Sequence, residues 1–215
     1  MRPIPSPVAL LARIRRSPPS GPPRRVHRKY ITAAPPAETM IQLKSHDRAR
    51  AERWAARFEA ERERTRTVAP DELLGVRHIG STAVPELAAK PVVDVLAVYA
   101  DKSAMRAAAR ALAADGCVRK RDDPDWQVLN RSDEETVVLH LRPRAADTWR
   151  DQLVFRELLR DSARARAAYE RAERAAAAAH PGDVDAYTGA KESTIEELTE
   201  RAYRDGYDER LPEFA

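Results

Sequence analysis

Cysteine is nearly absent from this 215-residue sequence. Cys117 stands alone, which excludes an internal disulfide framework and a cysteine-based zinc site. Between Gly116 and Val118 it reads as core filler rather than a nucleophile. Long apolar runs are missing too. None approaches the roughly 18 residues that a membrane-crossing helix needs, so the expectation is a cytoplasmic protein with no membrane partner. No internal repeat is present. Acidic residues are scarce in one place only: the first 40 residues hold eight of the 38 Lys/Arg but one of the 34 Asp/Glu. That leaves 30 basic and 33 acidic residues after them, a net charge of −3 beneath the overall +4. The high isoelectric point belongs to the leading segment. The remainder gives no general argument for a nucleic-acid surface.

Residues 1–40 also hold nine of the sixteen prolines. Without sustained periodicity they cannot bury enough apolar surface to offset ordering entropy, and they are predicted to be a disordered basic tail before a domain spanning 41–215. The longest apolar piece, Val8–Ala12, is closed by Arg13 and is too short for a signal-peptide core. An Arg-rich, acid-poor segment suits a transit peptide; a natural start at Met40 is the simpler alternative.

From Ser45 the pattern changes. Ala51, Trp54, Ala55 and Phe58 recur at helical spacing. Leu73–Ile79 and Val92–Tyr99 read as strands, and Lys102–Ala114 as a helix ended by Asp115-Gly116. Cys117–Lys120, Trp126–Asn130 and Thr136–Arg142 are β-like, with acidic turns at 122–125 and 132–135. Three helices follow, each behind a candidate cap: Asp147 before Thr148–Arg160, Ser162 before Ala163–Ala179, and Asp183 before Val184–Tyr203. This order predicts an α/β (α+β) architecture, one mixed sheet flanked by helices with a C-terminal helical pack.

Four features break the apolar patterning. Gly80-Ser81-Thr82 follows the first strand, where backbone N–H groups and two hydroxyls suit phosphate oxygens, although the tripeptide is also an ordinary turn. Asp94 sits in a strand that is apolar on both faces. A carboxylate there needs a cation: either a salt bridge to Lys90, Arg77 or Arg142, or a bound metal beside the turn. His140, between Leu139 and Leu141, is either a satisfied core histidine or a member of the same site. Lys191 falls in the stripe of Val184, Tyr187, Ile195 and Leu198, where it either snorkels to the rim or supplies charge for phosphate.

The stretch HIGSTAVPELAAKPVVDVL, His78–Leu96, resembles the signature of the GrpB family, approximately H-[IV]-G-S-T-[AS]-V-P-G-L-x-A-K-P-x-[IV]-D-[IL]. Val138–Leu141 resembles the end of the family's H-H-L-H strand, Leu153–Leu159 its F-R-D-x-L helix, and Asp185–Lys191 its A-Y-x-x-x-K helix. Two departures stand out: Glu86 replaces the glycine after Val-Pro, and Val137 replaces the first histidine of the strand.

The resemblance implies a nucleotidyltransferase-superfamily fold, with Gly80 and Ser81 as the phosphate turn and Asp94 as the first metal carboxylate. Leu96 stands at the second carboxylate position and His140 on the third-carboxylate strand. It further implies a divalent ion, Mg or Mn, on Asp94 and His140, which would also be the catalytic pair. The ligand set would be His78, Gly80, Ser81, Thr82, Lys90, Tyr187 and Lys191. The expected partner is a nucleotide or other small phosphorylated molecule. Nucleotidyl transfer is the catalytic reading; the alternative is a non-catalytic module for a nucleotide or coenzyme A-type ligand, since some family members are fused to dephospho-coenzyme A kinase.

Overall fold

Two faces of one strand organise the molecule. The computed structural model describes residues 41–133 and 135–214; the expected basic tail, 1–40, lies outside the described residues. Strands β1 (Leu73–Ile79), β2 (Val92–Tyr99), β3 (Val118–Asp123), β4 (Trp126–Ser132) and β5 (Thr136–Pro143) form one sheet in the order β1-β2-β5-β4-β3. Only β2 and β5 run parallel, and the other three pairings are antiparallel. The sheet is mixed, as expected.

Alternation along β2 sends Val93, Val95, Ala97 and Tyr99 to one face. There they meet Trp54 and Phe58 of α1 (Arg48–Val68) and Met105, Ala109 and Leu112 of α2 (Lys102–Ala114). Leu96 and Val98 point the other way, against Trp149 and Leu153 of α3 (Thr148–Asp161) and Phe214. Asp94, next on that face, instead lines a cavity whose far wall comes from α4 (Ala163–Ala179) and α5 (Val184–Gly189). Helix α6 (Glu192–Arg204) completes the C-terminal pack, which also swallows Val84 and Leu87 from the loop after β1.

Some expectations change. The buried stripe of α1 is Trp54, Phe58, Glu61 and Thr65, while Ala55 is exposed. Edge strand β3 runs to Asp123 and is exposed throughout, its five consecutive charged residues, Arg119–Asp123, guarding an open edge. Asp147 has helical backbone and makes no capping bond, whereas Ser162 and Asp183 cap as expected. The predicted helix Val184–Tyr203 is two helices, α5 ending at Gly189 and α6 beginning at Glu192. Glycine is a poor helix former, and the break leaves Lys191 between the two.

Candidate functional site

The site starts from Gly80, whose φ of 71° and ψ of −177° lie in a region essentially restricted to glycine. That conformation turns the chain sharply off β1 into a 3-10 turn, Ser81–Ala83. Several bonds hold the turn from behind. Thr82 Oγ1 donates to the Val92 carbonyl at 3.0 Å and lies 3.0 Å from His78 Nε2. With the hydroxyl proton committed to Val92, His78 Nε2 must carry its own proton and donate to Thr82. The His78 ring stacks on Phe58, 4.9 Å between centroids. Burial pushes its pKa down to about 4, so the ring is neutral. From α3, Arg156 donates to the His78 carbonyl at 2.7 Å and Arg160 to the Ala83 carbonyl at 3.0 Å.

Asp94 stands in register with Ile79, directly across from the turn. None of the three expected basic partners meets it. Arg77 lies over the Phe214 ring and Arg142 over Trp126; the hydrogen-bond partner is His140, whose Nε2 is 3.1 Å from Asp94 Oδ1. His140 reaches it from β5, where Leu96 pairs with His140 and Asp94 with Val138. A parallel register shifted by one pleat thus joins the two polar anomalies of adjacent strands.

The opposite wall carries a second polar group. Glu173 of α4 is 2% exposed and Lys191 7%. Lys191 Nζ donates to Glu173 Oε1 at 2.6 Å, Tyr187 OH donates to Oε2, and the ammonium sits 3.9 Å from the Tyr187 ring centroid. Burial, with the Glu173 charge second, holds the phenols of Tyr169 and Tyr187 above their usual range, so both are protonated donors. Between the walls lies a cavity of about 310 Å³, at the lower end of ligand-pocket volumes.

Of the expected ligand residues, Gly80, Ser81, Lys90, Tyr187 and Lys191 line this cavity together with Asp94 and His140. His78 and Thr82 do not; they brace the turn from behind. Tyr169 and Glu173 are lining residues that the sequence reading missed. Their signal was there: Glu173 interrupts the buried stripe Ala165, Tyr169, Ala176 just as Lys191 interrupts its own.

The residues present do not fit a two-ion centre. Among the described residues no group of three or more His, Cys, Asp or Glu side chains could hold a metal. Leu96, where the resemblance sets the second carboxylate, is fully buried against α3. His140 is poorly suited as a ligand as well. Its Nδ1 is buried with no partner among the described residues. Freeing Nε2 for a metal would move the proton onto Nδ1 and leave a buried donor unsatisfied, a cost of about 1–3 kcal/mol. Asp94 alone, its side chain 28% exposed, is placed to share one divalent ion with ligand oxygens.

With this geometry established, likeness to known proteins is specific. An UPF0157 protein of Deinococcus radiodurans is 35% identical over 152 residues, covering 70% of this chain and 78% of the relative. One from Streptomyces coelicolor is 34% identical over 150 residues, covering 70% and 80%. Among solved structures, the conserved protein GrpB from Enterococcus faecalis superposes with a TM-score of 0.66 at 24% identity, over 76% of this chain and 98% of that one. The family profile described as GrpB protein matches residues 41–201, and the chain belongs to the GrpB family.

Proposed function

We propose that the central cavity binds a phosphorylated small molecule, a nucleotide first among them, and that it is built for binding rather than for two-ion nucleotidyl transfer. The observation that carries this reading is the apposition of the Gly80–Ser81 turn and the Asp94 carboxylate on one wall to the Lys191–Glu173–Tyr187 group on the other. The turn offers a hydroxyl and close backbone approach to a phosphate. Lys90 and Lys191 supply positive charge, and Glu173 and the two tyrosines supply a polar end for the rest of the ligand.

Electrostatics adds a condition. Two lysines and two carboxylates balance one another, so a multiply charged phosphate gains little from the lining by itself. A single Mg²⁺ or Mn²⁺ on Asp94, completing its shell with phosphate oxygens and water, supplies the missing charge. Mg²⁺ is commonly held by one or two carboxylates plus ligand phosphates in this manner. Transfer chemistry needs a second ion or a replacement for it, and Leu96 offers neither.

A thermal-shift screen of nucleotides and coenzyme A, with and without Mg²⁺ or Mn²⁺, tests the proposal. A hundredfold excess over the dissociation constant is expected to stabilise by about 2.7 kcal/mol, only with metal and ligand together. Asp94→Asn should abolish the shift and Ser81→Ala should weaken it. If no phosphorylated ligand stabilises the protein, or Asp94→Asn leaves the shift intact, the reading fails. Turnover of labelled nucleotide would overturn the non-catalytic part alone.

A further inference from the structure

A second cavity, of about 390 Å³, lies between α4 and α6. On α4 it is lined by Arg164, Ala168 and Arg171, spaced i, i+4, i+7, on the helix face opposite to Tyr169 and Glu173. Across from them, Glu197, Arg201 and Arg204 repeat the same spacing on α6. Small residues on α4 make room between the two ridges: Ala165 and Ala168 line the cavity, with Leu198 at its base.

The lining of this cleft is mainly basic. Elsewhere on α4, Arg174 pairs with Glu170 and Arg166 with Glu86. Arg201 and Arg204 each have a carboxylate of their own helix, Asp205 at 3.2 Å and Glu200 at 3.8 Å. Arg164 and Arg171 have no carboxylate partner among the described residues, although Glu197 lines the same cleft. Arg164 also sits in the first turn of α4, where the helix dipole disfavours a cation and favours an anion. Four guanidinium groups thus line one concavity whose lining has a single carboxylate, and two of the four, Arg164 and Arg171, have no carboxylate partner among the described residues, in a body whose charge is otherwise slightly negative.

We propose that this cleft is a second anion site, separate from the central cavity, that takes the phosphate groups of a polyphosphate. Guanidinium groups bind phosphate oxygens in pairs of parallel hydrogen bonds, a geometry that a lysine cluster lacks. The concave shape allows several of them to reach one anion, and the opposed ridges suit an elongated diphosphate rather than a single spherical ion. The phosphate groups are those of a free diphosphate or successive phosphodiesters of a nucleic-acid backbone; in both, the guanidinium groups recognise phosphate oxygens.

Calorimetric titration of the full chain with pyrophosphate in EDTA tests this, because the central cavity is expected to need a divalent ion. The Arg164→Gln/Arg171→Gln variant changes exposed side chains and should fold; it is expected to weaken binding at least tenfold. Glu197→Gln removes the opposing carboxylate and should tighten binding severalfold, a gain that misfolding cannot produce. Ser81→Ala should leave the affinity unchanged. No pyrophosphate binding at millimolar concentration overturns the proposal, as does binding that Ser81→Ala removes and the arginine substitutions spare. A parallel titration with a short single-stranded RNA identifies the source: tighter binding than pyrophosphate with the same arginine dependence assigns a polymer, weaker binding assigns the free anion. RNA binding indifferent to the arginine substitutions, with no pyrophosphate binding, counts against the cleft.

Discussion

Asp94 fills the space that a side chain at Gly80 would need: a Cβ built there lies 3.0 Å from Asp94 Cγ and closer still to Oδ2. The glycine is therefore required twice, by its backbone angles and by the carboxylate packed on it. Gly80→Ala is expected to cost about 1–3 kcal/mol through backbone strain alone, and to push Asp94 off His140. Urea denaturation checks the first effect and the ligand thermal shift the second. A variant that keeps wild-type ligand affinity would show that turn and carboxylate act independently.

Glu86 has a φ of 64°, the left-handed region that favours glycine. This accounts for the glycine in the family pattern at that position. Here the exposed side chain instead pairs with Arg166 of α4 at 2.8 Å. An exposed pair contributes about 0–1 kcal/mol, less than or equal to the strain of about 1–2 kcal/mol. Glu86→Gly is expected to be neutral to mildly stabilising. Glu86→Ala keeps the strain and loses the pair, so it should be the less stable of the two in denaturant melts.

His78 carries a pH dependence whose sign is fixed by its environment. Burial lowers its folded-state pKa from 6.5 to about 4. Between these values the unfolded chain binds the proton and the folded one does not, so stability rises with pH across the window. Its contribution is complete above about pH 6.5 and is lost as the pH falls toward 4. Between pH 7 and pH 5 the loss is roughly 2 kcal/mol. Glu61 and Asp151, whose pKa values burial raises, act in the opposite sense. The comparison is therefore with His78→Gln, whose stability should fall less over the same interval. Parallel pH slopes for the two proteins would rule the assignment out.

Glu173 and Lys191 are buried together, 2.6 Å apart. Removing one partner leaves the other charge unpaired, which typically costs about 3–5 kcal/mol. Glu173→Gln and Lys191→Met should each fall in or near that range, and the double variant should be more stable than either. A double-mutant cycle in urea gives the coupling. Additive effects would mean that the two charges are independently solvated.

How much of this was legible beforehand depended on range. The boundaries of β1, β2 and α2 follow from local apolar periodicity, and the structure keeps them. Asp94, His140 and Lys191 were visible as polar residues on apolar faces. Their partners were not, because partnership is set by register and packing: Asp94 meets His140 only through the parallel pairing of β2 with β5. Lys191 meets Glu173 because the last long helix breaks after Gly189, where apolar periodicity had run straight through. His78 belonged to the right motif, yet strand alternation turns it toward Phe58 and away from the cavity.

On the proposed reading Leu96 separates binding from transfer, and it can be tested directly. A carboxylate there would stand two residues from Asp94, the spacing that the resemblance implies for two-ion chemistry. The side chain, however, is fully buried in the cluster formed with Val98, Trp149 and Leu153. The register neighbours of Leu96 are Arg77 and His140, of which Arg77 lies over Phe214 and His140 is bonded to Asp94; a buried carboxylate that draws neither away is avoided by raising its pKa or by unfolding. Leu96→Asp is therefore expected to lower stability by about 4 kcal/mol or more, since it combines the loss of a buried leucine with a buried polar group. It should gain no Mn²⁺ binding in calorimetry. Leu96→Met, which conserves volume, should cost less than about 1.5 kcal/mol and keep the metal-dependent ligand shift. A folded Leu96→Asp protein that bound two Mn²⁺ ions would mean that α3 yields at this face, and that the two-ion chemistry is lost here by one substitution and not by the packing around it.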